Sequence, residues 1–366
     1  MNDEEFMKKA LELAKLGCGW VNPNPMVGAV IVKDGRVIGK GFHEKYGGLH
    51  AERNALANCS ESSLGATIYV TLEPCCHYGK TPPCTDAIIE SGIRRVVIGS
   101  FDPNPKVGGK GISILRSHGI EVVEGILKEE CDTLNKSFFH YIQTGLPYVV
   151  MKYAMTMDGK IATSLGKSKW ITGALARQRV HEDRHRYSAI MVGVGTVLAD
   201  NPMLDCRIEN GRNPLRVICD TNLRTPLQSN VITSTDRSPT LLATAITDTS
   251  LHRPYQKAGC EVVVLPLKDN QVDLKSLMIV LGKKGIDSIL LEGGSSLNWS
   301  ALREGIVNKI QAYIAPKLFG GTGYSPVGGI GVDSPEEAFG LRTPTISVIG
   351  EDILIESEVI DCSQEL

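Results

Sequence analysis

The chain has 366 residues with a net charge of −2, and 42% of them are hydrophobic, 22% charged and 5% aromatic, as in an ordinary globular protein with enough apolar material for two cores. A balanced charge and few aromatic rings argue against a nucleic-acid-binding protein, which usually carries a basic face and side chains that stack on bases. Residues 1–17 form a charged amphipathic pattern rather than a signal peptide and no apolar run spans a bilayer, so we expect a cytoplasmic protein that does not bind a membrane.

The first half of the chain alternates helical and strand patterns. Apolar spacing predicts a helix over residues 3–17, and apolar runs on either side of Asp34 and Gly35 predict a β-hairpin. Further helices are predicted at 50–58, 84–91 and 109–118, and strands at 66–73, 94–100 and 120–125. Because helices separate the strands, we expect an α/β domain over residues 1–145.

A second series of strands begins after the turn signal at Gly145 to Pro147. The predicted strands lie at 148–155, 188–195, 215–220, 240–245, 261–266, 288–294, 309–316 and 352–360. Helical or loop segments separate them, so we expect a second α/β domain over residues 146–366.

One histidine, two cysteines and a glutamate in the first half have the pattern of a catalytic zinc site. His50, Cys75 and Cys84 would supply one imidazole and two thiolates, which leaves the fourth position of a tetrahedral zinc ion for water. Zinc lowers the pKa of that water, and Glu52 is placed to take the water's proton and to return protons to a ring nitrogen and to the leaving ammonia. Cys84 is expected to open a helix, whose amides favour a thiolate. H-x-E followed by P-C…C is typical of zinc deaminases, although eight residues rather than two separate the cysteines here.

Two alternatives remain open for these residues. Cys76 or His77 could complete a closed structural zinc site, although Cys75 and Cys76 are adjacent and awkwardly placed to bind one ion together. The cysteines could instead be small buried hydrophobic residues, as we expect for Cys131, Cys219, Cys260 and Cys362. Disulfide bonds are not expected in a cytosolic chain.

Taken together, these residues resemble those of the bifunctional riboflavin biosynthesis deaminase–reductase family, over nearly the whole chain. The matching motifs in the first half are NPNP at 22–25, HAE at 50–52, TLEPC at 71–75, HYGKTPPC at 77–84 and DPNP at 102–105. Those in the second half are Lys152, DGKIA at 158–162, WIT at 170–172, GVGTVLADNP at 193–202, EGG at 292–294 and APK at 315–317. Family members commonly have serine at the position of Cys76, so the resemblance treats Cys76 as a tolerated substitution rather than a ligand.

The resemblance implies a fold and two successive reactions. A cytidine-deaminase-like α/β/α domain would be followed by a dihydrofolate-reductase-like α/β domain. The first domain, with one zinc ion per chain, would hydrolyse the 2-amino group of 2,5-diamino-6-(5-phosphoribosylamino)pyrimidin-4(3H)-one. The second would use NADPH to reduce the ribosyl side chain, giving 5-amino-6-(5-phosphoribitylamino)uracil.

The resemblance also implies substrate contacts in the first domain. Asn24 would hold the pyrimidine, because an amide both donates to and accepts from a ring edge, although Asn-Pro also favours a turn. His77 and Lys80 would meet the substrate phosphate, unless they are solvated charges on a loop.

In the second domain, Lys152 and Glu292 are expected near the reacting ribose. One of them could keep the nitrogen protonated during hydride addition, or both could only position the substrate. Residues 292–296 end a strand in two glycines and two serines, which leaves amides free for a phosphate, although an ordinary strand–turn–helix joint has the same pattern. The implied substrate contacts are Ser168, Arg184, Leu204, Arg207 and Glu292, with the arginines on phosphate, and the implied cofactor contacts are Ala154, Trp170, Thr196, Asp200, Gly293, Gly294, Ser295 and Ser296. Trp170 could instead be a structural aromatic residue.

We therefore expect an enzyme with a small phosphoribosyl pyrimidine substrate, no nucleic-acid partner and a homo-oligomeric assembly. One rival is a zinc deaminase of another base fused to a reductase of another phosphoribosyl compound. A zinc-stabilised RNA-binding protein is a second rival, and it predicts salt-sensitive RNA binding. A thiol-sensing role for Cys75 and Cys76 is a third. The preference for NADPH over NADH is implied by the family alone, since the sequence does not identify an arginine that reads the additional phosphate.

Overall fold

A computed structural model of the chain describes residues 2–78, 82–104 and 107–360. The chain divides into two compact units, Met1–Gly145 and Leu146–Leu366. Among the described residues, no helix combines the length and the apolar character needed to cross a membrane. Lys80, which we expect to contact the substrate phosphate, lies outside the described residues.

The first unit is a five-stranded mixed sheet with helices between its strands. Its elements are α1 (Asp3–Lys15), β1 (Gly28–Lys33), β2 (Arg36–Phe42), α2 (Ala51–Ala57), β3 (Thr67–Leu72), α3 (Cys84–Glu90), β4 (Arg95–Ser100), α4 (Lys110–Ser117), β5 (Glu121–Glu124), α5 (Lys128–Leu134) and α6 (Lys136–Thr144). The strand order is β2-β1-β3-β4-β5, antiparallel where β1 meets β2 and β3 and parallel from β3 to β5. The predicted hairpin is confirmed, and Asp34 and Gly35 both have the positive φ angles, 50° and 74°, that a tight two-residue turn requires.

Helices cover both faces of this sheet because successive side chains of a strand point to opposite sides. Val30 of β1 packs on the side of α1 and of Cys131 in α5. Ile31 packs on the other side, with residues of α2, α3 and α4 and with Phe138 of α6. These layers form the α/β/α arrangement that the resemblance implies.

The sequence pattern predicts no element between residue 125 and the domain boundary, but α5 and α6 form there. The two helices pack on opposite faces of the sheet, so the chain passes from one face to the other at Asn135. The buried Asn135 amide accepts a hydrogen bond from the Met26 nitrogen (2.8 Å) and donates one to the Met26 oxygen (2.9 Å). Helices this short depend on tertiary contacts more than on their own sequence, which explains the missed prediction.

The second unit is a nine-stranded, mostly parallel sheet. Its elements are β6 (Tyr148–Thr156), α7 (Ala174–Arg186), β7 (Ala189–Gly193), α8 (Val194–Asp200), β8 (Leu215–Cys219), α9 (Asn230–Thr233), β9 (Thr240–Thr244), α10 (Thr249–Lys257), β10 (Glu261–Val264), β11 (Leu267–Lys268), β12 (Gln271–Val272), α11 (Leu274–Lys283), β13 (Ser288–Leu291), α12 (Ser295–Arg303), β14 (Lys309–Ala315), β15 (Thr345–Ile349) and β16 (Asp352–Glu358). The strand order is β10-β9-β8-β7-β13-β6-β14-β16-β15, parallel from β10 to β14 and antiparallel for β16 and β15. The eight predicted strands are present, and β15 and the short β11–β12 pair are additional.

Buried apolar side chains line both faces of the parallel strands. On one face Met191 and Leu291 pack against α11 and α12. On the other face Val192 and Ile218 pack with residues of α8, α9 and α10. Because both faces are covered, the strands read as continuous apolar runs, and the polar residues that follow them collect at their carboxyl ends.

Candidate active sites

The predicted zinc ligands meet where a strand ends and two helices begin. His50 is the residue before α2, Cys75 follows β3, and Cys84 is the first residue of α3. One nitrogen of His50 and the two sulfur atoms all lie within 4.8 Å of one another. Within the described part of the chain this is the one group of three histidine, cysteine or acidic side chains close enough to share a metal ion, and it does not include Cys76 or His77.

The separations in this cluster fit a zinc ion. His50 Nδ1 lies 3.4 Å from the sulfur of Cys75 and 3.4 Å from that of Cys84. Tetrahedral bonds of about 2.3 Å to sulfur and about 2.1 Å to nitrogen place the two ligand atoms about 3.6 Å apart. One imidazole and two thiols therefore form three corners of a tetrahedral site. A site with three protein ligands keeps a position for water, as a catalytic zinc site requires.

The cluster also favours the ionised form of a cysteine ligand. A hydrogen bond from the Cys84 thiol, together with contact with His50, lowers the pKa of the Cys75 thiol to about 4. The backbone amide of Cys84 donates to the Cys75 sulfur at 3.4 Å, so the first amide of α3 stabilises Cys75 rather than its own side chain. The expected helix effect on a thiolate is present, but it acts on the other cysteine.

Glu52 lies in the first turn of α2 and is 3% exposed. Burial raises the pKa of its carboxyl group. It lines the same cavity as His50 and Cys75, which has a volume of about 310 Å³. A raised pKa makes a carboxyl group better suited both to accept and to return a proton.

Asn24 lies in this cavity with its amide orientation determined by a buried histidine. The Asn24 Nδ2 group donates to Nε2 of His43 (3.2 Å), and Nδ1 of His43 donates to the carbonyl of Leu49 (3.0 Å). These two bonds select one tautomer of His43 and leave the carbonyl oxygen of Asn24 available to a ligand. His77 also lines the cavity.

In the second unit, Lys152 and Glu292 are brought together by strand register. Met151 of β6 pairs with Leu291 of β13, so Lys152, in the middle of β6, lies beside Glu292, which follows the end of β13. Lys152 Nζ lies 3.4 Å from a carboxylate oxygen of Glu292. Both side chains are largely buried, at 14% and 12% exposure.

Arg184 of α7 completes this charge cluster. Its Nε and one terminal nitrogen donate to the two oxygens of Glu292 at 2.8 and 3.1 Å, and the other donates to the carbonyl of Asp205 at 3.0 Å. Although burial opposes ionisation, the charges of Arg184 and Lys152 lower the pKa of Glu292 to about 2. Glu292 is therefore a carboxylate at neutral pH, and Arg184 is occupied by this pair rather than held free for a phosphate.

The other predicted substrate contacts of this unit lie in three different settings. Ser168 donates to Asp200 at 3.3 Å. Arg207 is exposed and pairs with Asp205 at 3.0 Å. The Leu204 side chain is only 4% exposed and lies in the apolar core, so a ligand could meet its backbone but not its side chain.

Five of the predicted cofactor contacts, Thr196 and Gly293 to Ser296, lie at the starts of α8 and α12. Gly294 precedes α12 with no side chain capping the helix, and Ser296 lines a cavity of about 350 Å³ with the Gly193–Gly195 turn. Thr196 lies close to Gly294, since a Cβ atom built on the glycine would be 3.6 Å from the Thr196 hydroxyl. Ser295 donates to the Ser325 carbonyl at 2.7 Å.

Trp170 and Ala154 lie apart from that turn. Trp170 is exposed, has a positive φ of 66° and stacks with the guanidinium of Arg177 at 4.3 Å. Lys317 donates to its carbonyl at 2.9 Å. Ala154 is on β6, opposite Tyr313 of β14.

Two family models match the chain, one for each unit. The "cytidine and deoxycytidylate deaminase zinc-binding region" matches residues 1–100, and the "RibD C-terminal domain" matches residues 147–355. The riboflavin biosynthesis protein RibD of Actinobacillus pleuropneumoniae is 56% identical over 361 residues, which cover 98% of this chain and 96% of that protein. The chain belongs to the RibD family. The predicted family is confirmed.

Solved structures of RibD proteins have the same two-unit fold. RibD of Acinetobacter baumannii matches with a TM-score of 0.89 at 36% identity, over 98% of this chain and 99% of that one. The Thermotoga maritima protein, described as a diaminohydroxyphosphoribosylaminopyrimidine deaminase/5-amino-6-(5-phosphoribosylamino)uracil reductase, matches with a TM-score of 0.84 at 42% identity over the same shares. This RibD chain is an enzyme of riboflavin biosynthesis, with a zinc-dependent deaminase domain and an NADPH-dependent reductase domain.

Sequence reasoning missed several residues of the RibD zinc cavity. His43, Asp102 and Asn104 line it but were not predicted as site residues. The sequence carried a signal for the last two, because the DPNP motif at 102–105 repeats the NPNP motif that contains Asn24. Burial raises the pKa of Asp102 to about 6.

The loop that carries Asp102 and Asn104 is held by the buried Glu73. Its carboxylate accepts hydrogen bonds from the backbone amides of Gly109 (3.0 Å) and Ile112 (3.4 Å). A Cβ atom on Gly111 would lie 2.3 Å from the Pro74 carbonyl, so only glycine allows α4 to approach so closely. Glu73 of the TLEPC motif therefore positions one wall of the cavity.

Proposed function

We propose that this enzyme deaminates 2,5-diamino-6-(5-phosphoribosylamino)pyrimidin-4(3H)-one and then reduces the product to 5-amino-6-(5-phosphoribitylamino)uracil. The observation that carries the proposal is the cluster of His50, Cys75 and Cys84, two of whose members, His50 and Cys75, line one cavity with the buried Glu52. The substrates named in the description of the Thermotoga maritima relative support the same pair of reactions.

In the deaminase domain, His50, Cys75 and Cys84 hold zinc, which when bound supplies an activated water. A first proton passes from the attacking water through Glu52 to the ring nitrogen, and a second passes from the added hydroxyl group through Glu52 to the amino group, which leaves as ammonia. The burial of Glu52 supports this role, because a raised pKa brings the carboxyl group closer to the pH at which it must both take and give a proton.

Substrate recognition in this domain begins with Asn24. The bond from its Nδ2 group to His43 fixes the orientation of the amide, and the Asn24 carbonyl oxygen accepts from a ring N–H. His77 and Lys80 bind the phosphate from the cysteine loop.

In the reductase domain, NADPH supplies the hydride and Lys152 supplies the proton. Glu292 has a pKa of about 2 and is ionised, so it cannot act as the acid, and its role is to orient Lys152. Arg184 holds Glu292 through two parallel hydrogen bonds. Glu292 also offers its remaining acceptor capacity to the substrate.

The remaining predicted contacts are assigned by their positions around Lys152 and Glu292. Arg207, Ser168 and the backbone of Leu204 are proposed for the substrate. Ala154, Trp170, Thr196, Asp200, Gly293, Gly294, Ser295 and Ser296 are proposed for the cofactor. The uncapped start of α12 supports the last four, since free amides at a helix start bind phosphate.

We also propose a cytoplasmic location and a homo-oligomeric assembly with no nucleic-acid partner. None of the nine cysteines that the structure describes forms a disulfide bond, which supports a reducing compartment.

Mass spectrometry of the products tests both reactions and their order. Replacing an amino group by oxygen adds about 1 Da without NADPH, and reduction adds about 2 Da more when NADPH is present. No change of mass with a folded, zinc-loaded protein would show that the base is a different one. A panel of other amino-pyrimidines would then identify the alternative, a deaminase and reductase of another phosphoribosyl compound.

A further inference from the structure

Three motifs of the reductase domain lie together in the fold: DGKIA at 158–162, WIT at 170–172 and APK at 315–317. DGKIA follows β6, APK stands at the end of β14, and WIT precedes α7. Because β6 and β14 are adjacent parallel strands, the loops that follow them leave the sheet at the same edge. Hydrogen bonds then connect the three motifs in the order DGKIA, APK and WIT. Among their residues, only Trp170 is a proposed ligand contact.

Asp158 of DGKIA fixes the loop that follows β14. Its carboxylate accepts hydrogen bonds from the backbone amides of Phe319 (3.1 Å) and Gly320 (2.7 Å). At the start of the same loop, the Met157 amide donates to the Lys317 carbonyl at 2.9 Å. The backbone is therefore held at Lys317 and directly after it, which limits the directions that the lysine side chain can take.

The Lys317 side chain reaches the WIT motif. Its ammonium group donates to two successive carbonyls, those of Trp170 (2.9 Å) and Ile171 (2.7 Å). Trp170 has a φ of 66°, a left-handed conformation that is unfavourable for a bulky residue and persists only where other contacts stabilise it. The two bonds from Lys317 are contacts of this kind, because they fix the two peptide groups that follow Trp170.

Arg177 holds the Trp170 ring while leaving much of it exposed. Its guanidinium stacks on the ring at 4.3 Å, and it also donates to the Thr172 carbonyl, so it binds both the ring and the backbone of the motif. Trp170 is nevertheless 66% exposed. Contacts between exposed side chains bury little apolar surface and contribute little to the stability of a whole domain. Strain at an exposed aromatic residue is typical of a binding position, where a side chain held in its bound conformation lowers the entropic cost of binding.

We propose that Lys317 is a positioning residue of the reductase, which holds Trp170 in its strained conformation and so presents the indole ring to the cofactor. The lysine acts through the backbone of the WIT motif and does not itself touch the cofactor. The inference rests on the cofactor contact proposed for Trp170, and it adds the group that prepares this contact before the cofactor binds.

Fluorescence anisotropy tests the structural half of the inference. The chain has three tryptophans, so Trp20→Phe together with Trp299→Phe leaves Trp170 as the only one. In this background Lys317→Met keeps an aliphatic side chain but removes its donors. The amplitude of the nanosecond component of the anisotropy decay should then rise by about twofold or more, because the ring becomes mobile. Lys317→Arg should leave the decay as it is, since a guanidinium can donate to both carbonyls.

Steady-state kinetics in the otherwise wild-type chain test the functional half. Lys317→Met should raise KM for NADPH by about tenfold with less than about a twofold change in kcat, because a contact made equally in the ground state and the transition state is weakened. Lys317→Arg should return KM to within about threefold of wild type. Deamination and the free energy of unfolding should not change in either variant. Lys284→Met is the matched control, because it removes an exposed lysine of the same domain that pairs with Glu261, and it should leave KM unchanged.

An unchanged anisotropy decay in Lys317→Met, or an unchanged KM despite a mobile ring, would overturn the inference. A loss of kcat and of stability that Lys317→Arg does not restore would also overturn it, since it would show a general structural role. Trp170→Ala separates the inference from the contact on which it rests. A higher KM in Trp170→Ala without one in Lys317→Met would overturn the positioning role alone, whereas an unchanged KM in Trp170→Ala would overturn the cofactor contact and the inference with it.

Discussion

The two candidate active sites are assembled in different ways. The zinc ligands His50 and Cys84 are 34 positions apart and lie at the starts of two helices, and Cys75 follows the end of a strand. Lys152 and Glu292 are 140 positions apart and meet only because β13 inserts beside β6 in the sheet. The zinc site forms from residues that are close in the sequence of the first unit. The reductase site forms because strand order and register bring two distant residues together.

The electrostatics of the two sites differ as well. In the zinc cavity, burial raises the pKa of Glu52, which suits a group that must exchange a proton. In the reductase site, two cations lower the pKa of Glu292 to about 2, which suits a group that must stay charged and hold others in place. Two buried glutamates therefore have opposite roles because burial dominates at Glu52, whereas two cations outweigh burial at Glu292.

Glu52→Gln gives the largest expected effect and tests the first half of this contrast. The amide cannot carry a proton, so deamination should fall by roughly 10²–10⁴-fold while zinc stays bound. Ammonia release measures the activity, and elemental analysis measures the metal. Reduction of the ribosylamino-uracil intermediate should continue at the wild-type rate. Loss of zinc in this variant would mean that Glu52 is a ligand rather than a proton carrier.

Lys152→Ala tests whether the lysine, and not the glutamate, supplies the proton in the reductase domain. We expect NADPH oxidation with the intermediate to fall by about 10²-fold, with deamination unchanged. Lys309→Ala is a matched control, because Lys309, at the start of β14, makes a similar ion pair with Glu356 (2.7 Å) and not with Glu292. Full reductase activity in the Lys152 variant would remove the lysine from the mechanism.

Glu292→Gln tests the second half of this contrast, the charged state of Glu292, through the free energy of unfolding. Removing the charge leaves Arg184 buried without its partner, which should lower the free energy of unfolding at pH 7 by about 3 kcal/mol. The folded pKa of about 2 lies below the ordinary value, so the stabilising carboxylate acts above about pH 4, and its contribution is lost as the pH falls towards 2. Denaturant titration should therefore show a gap between wild type and variant that narrows in acid. A gap independent of pH would argue against the ion pair as its cause.

Cys76→Ser has the smallest expected effect and tests the composition of the zinc cluster. Cys76 lies outside the group of three ligand atoms, so zinc content and deamination should not change. Cys84→Ser is the matched comparison, and it should lose zinc because it removes a thiolate ligand. A parallel loss of zinc from the Cys76 variant would revive the closed structural site.

The sequence was sufficient to predict much of both halves. Hydrophobic periodicity predicted most strands, because burial on one or both sheet faces imposes apolar patterns that a single sequence displays. It did not predict α5, α6 or β15, whose formation depends on the rest of the fold. The zinc ligands could be named because metal geometry restricts both residue type and local spacing.

Only the tertiary structure decided how the remaining polar residues are used. Glu292 and Arg184 both stood out in the sequence, but their pairing, and with it the ionised state of Glu292, comes from the packing of α7 beside the end of β13. Asp220 and Arg224 both follow β8. Asp220 is buried and binds Thr225 of its own loop, whereas Arg224 lines the cavity beside the Gly193–Gly195 turn. A sequence specifies which groups are present, whereas the free energy of a charged group depends on its distance from other charges and from water, which only the fold sets.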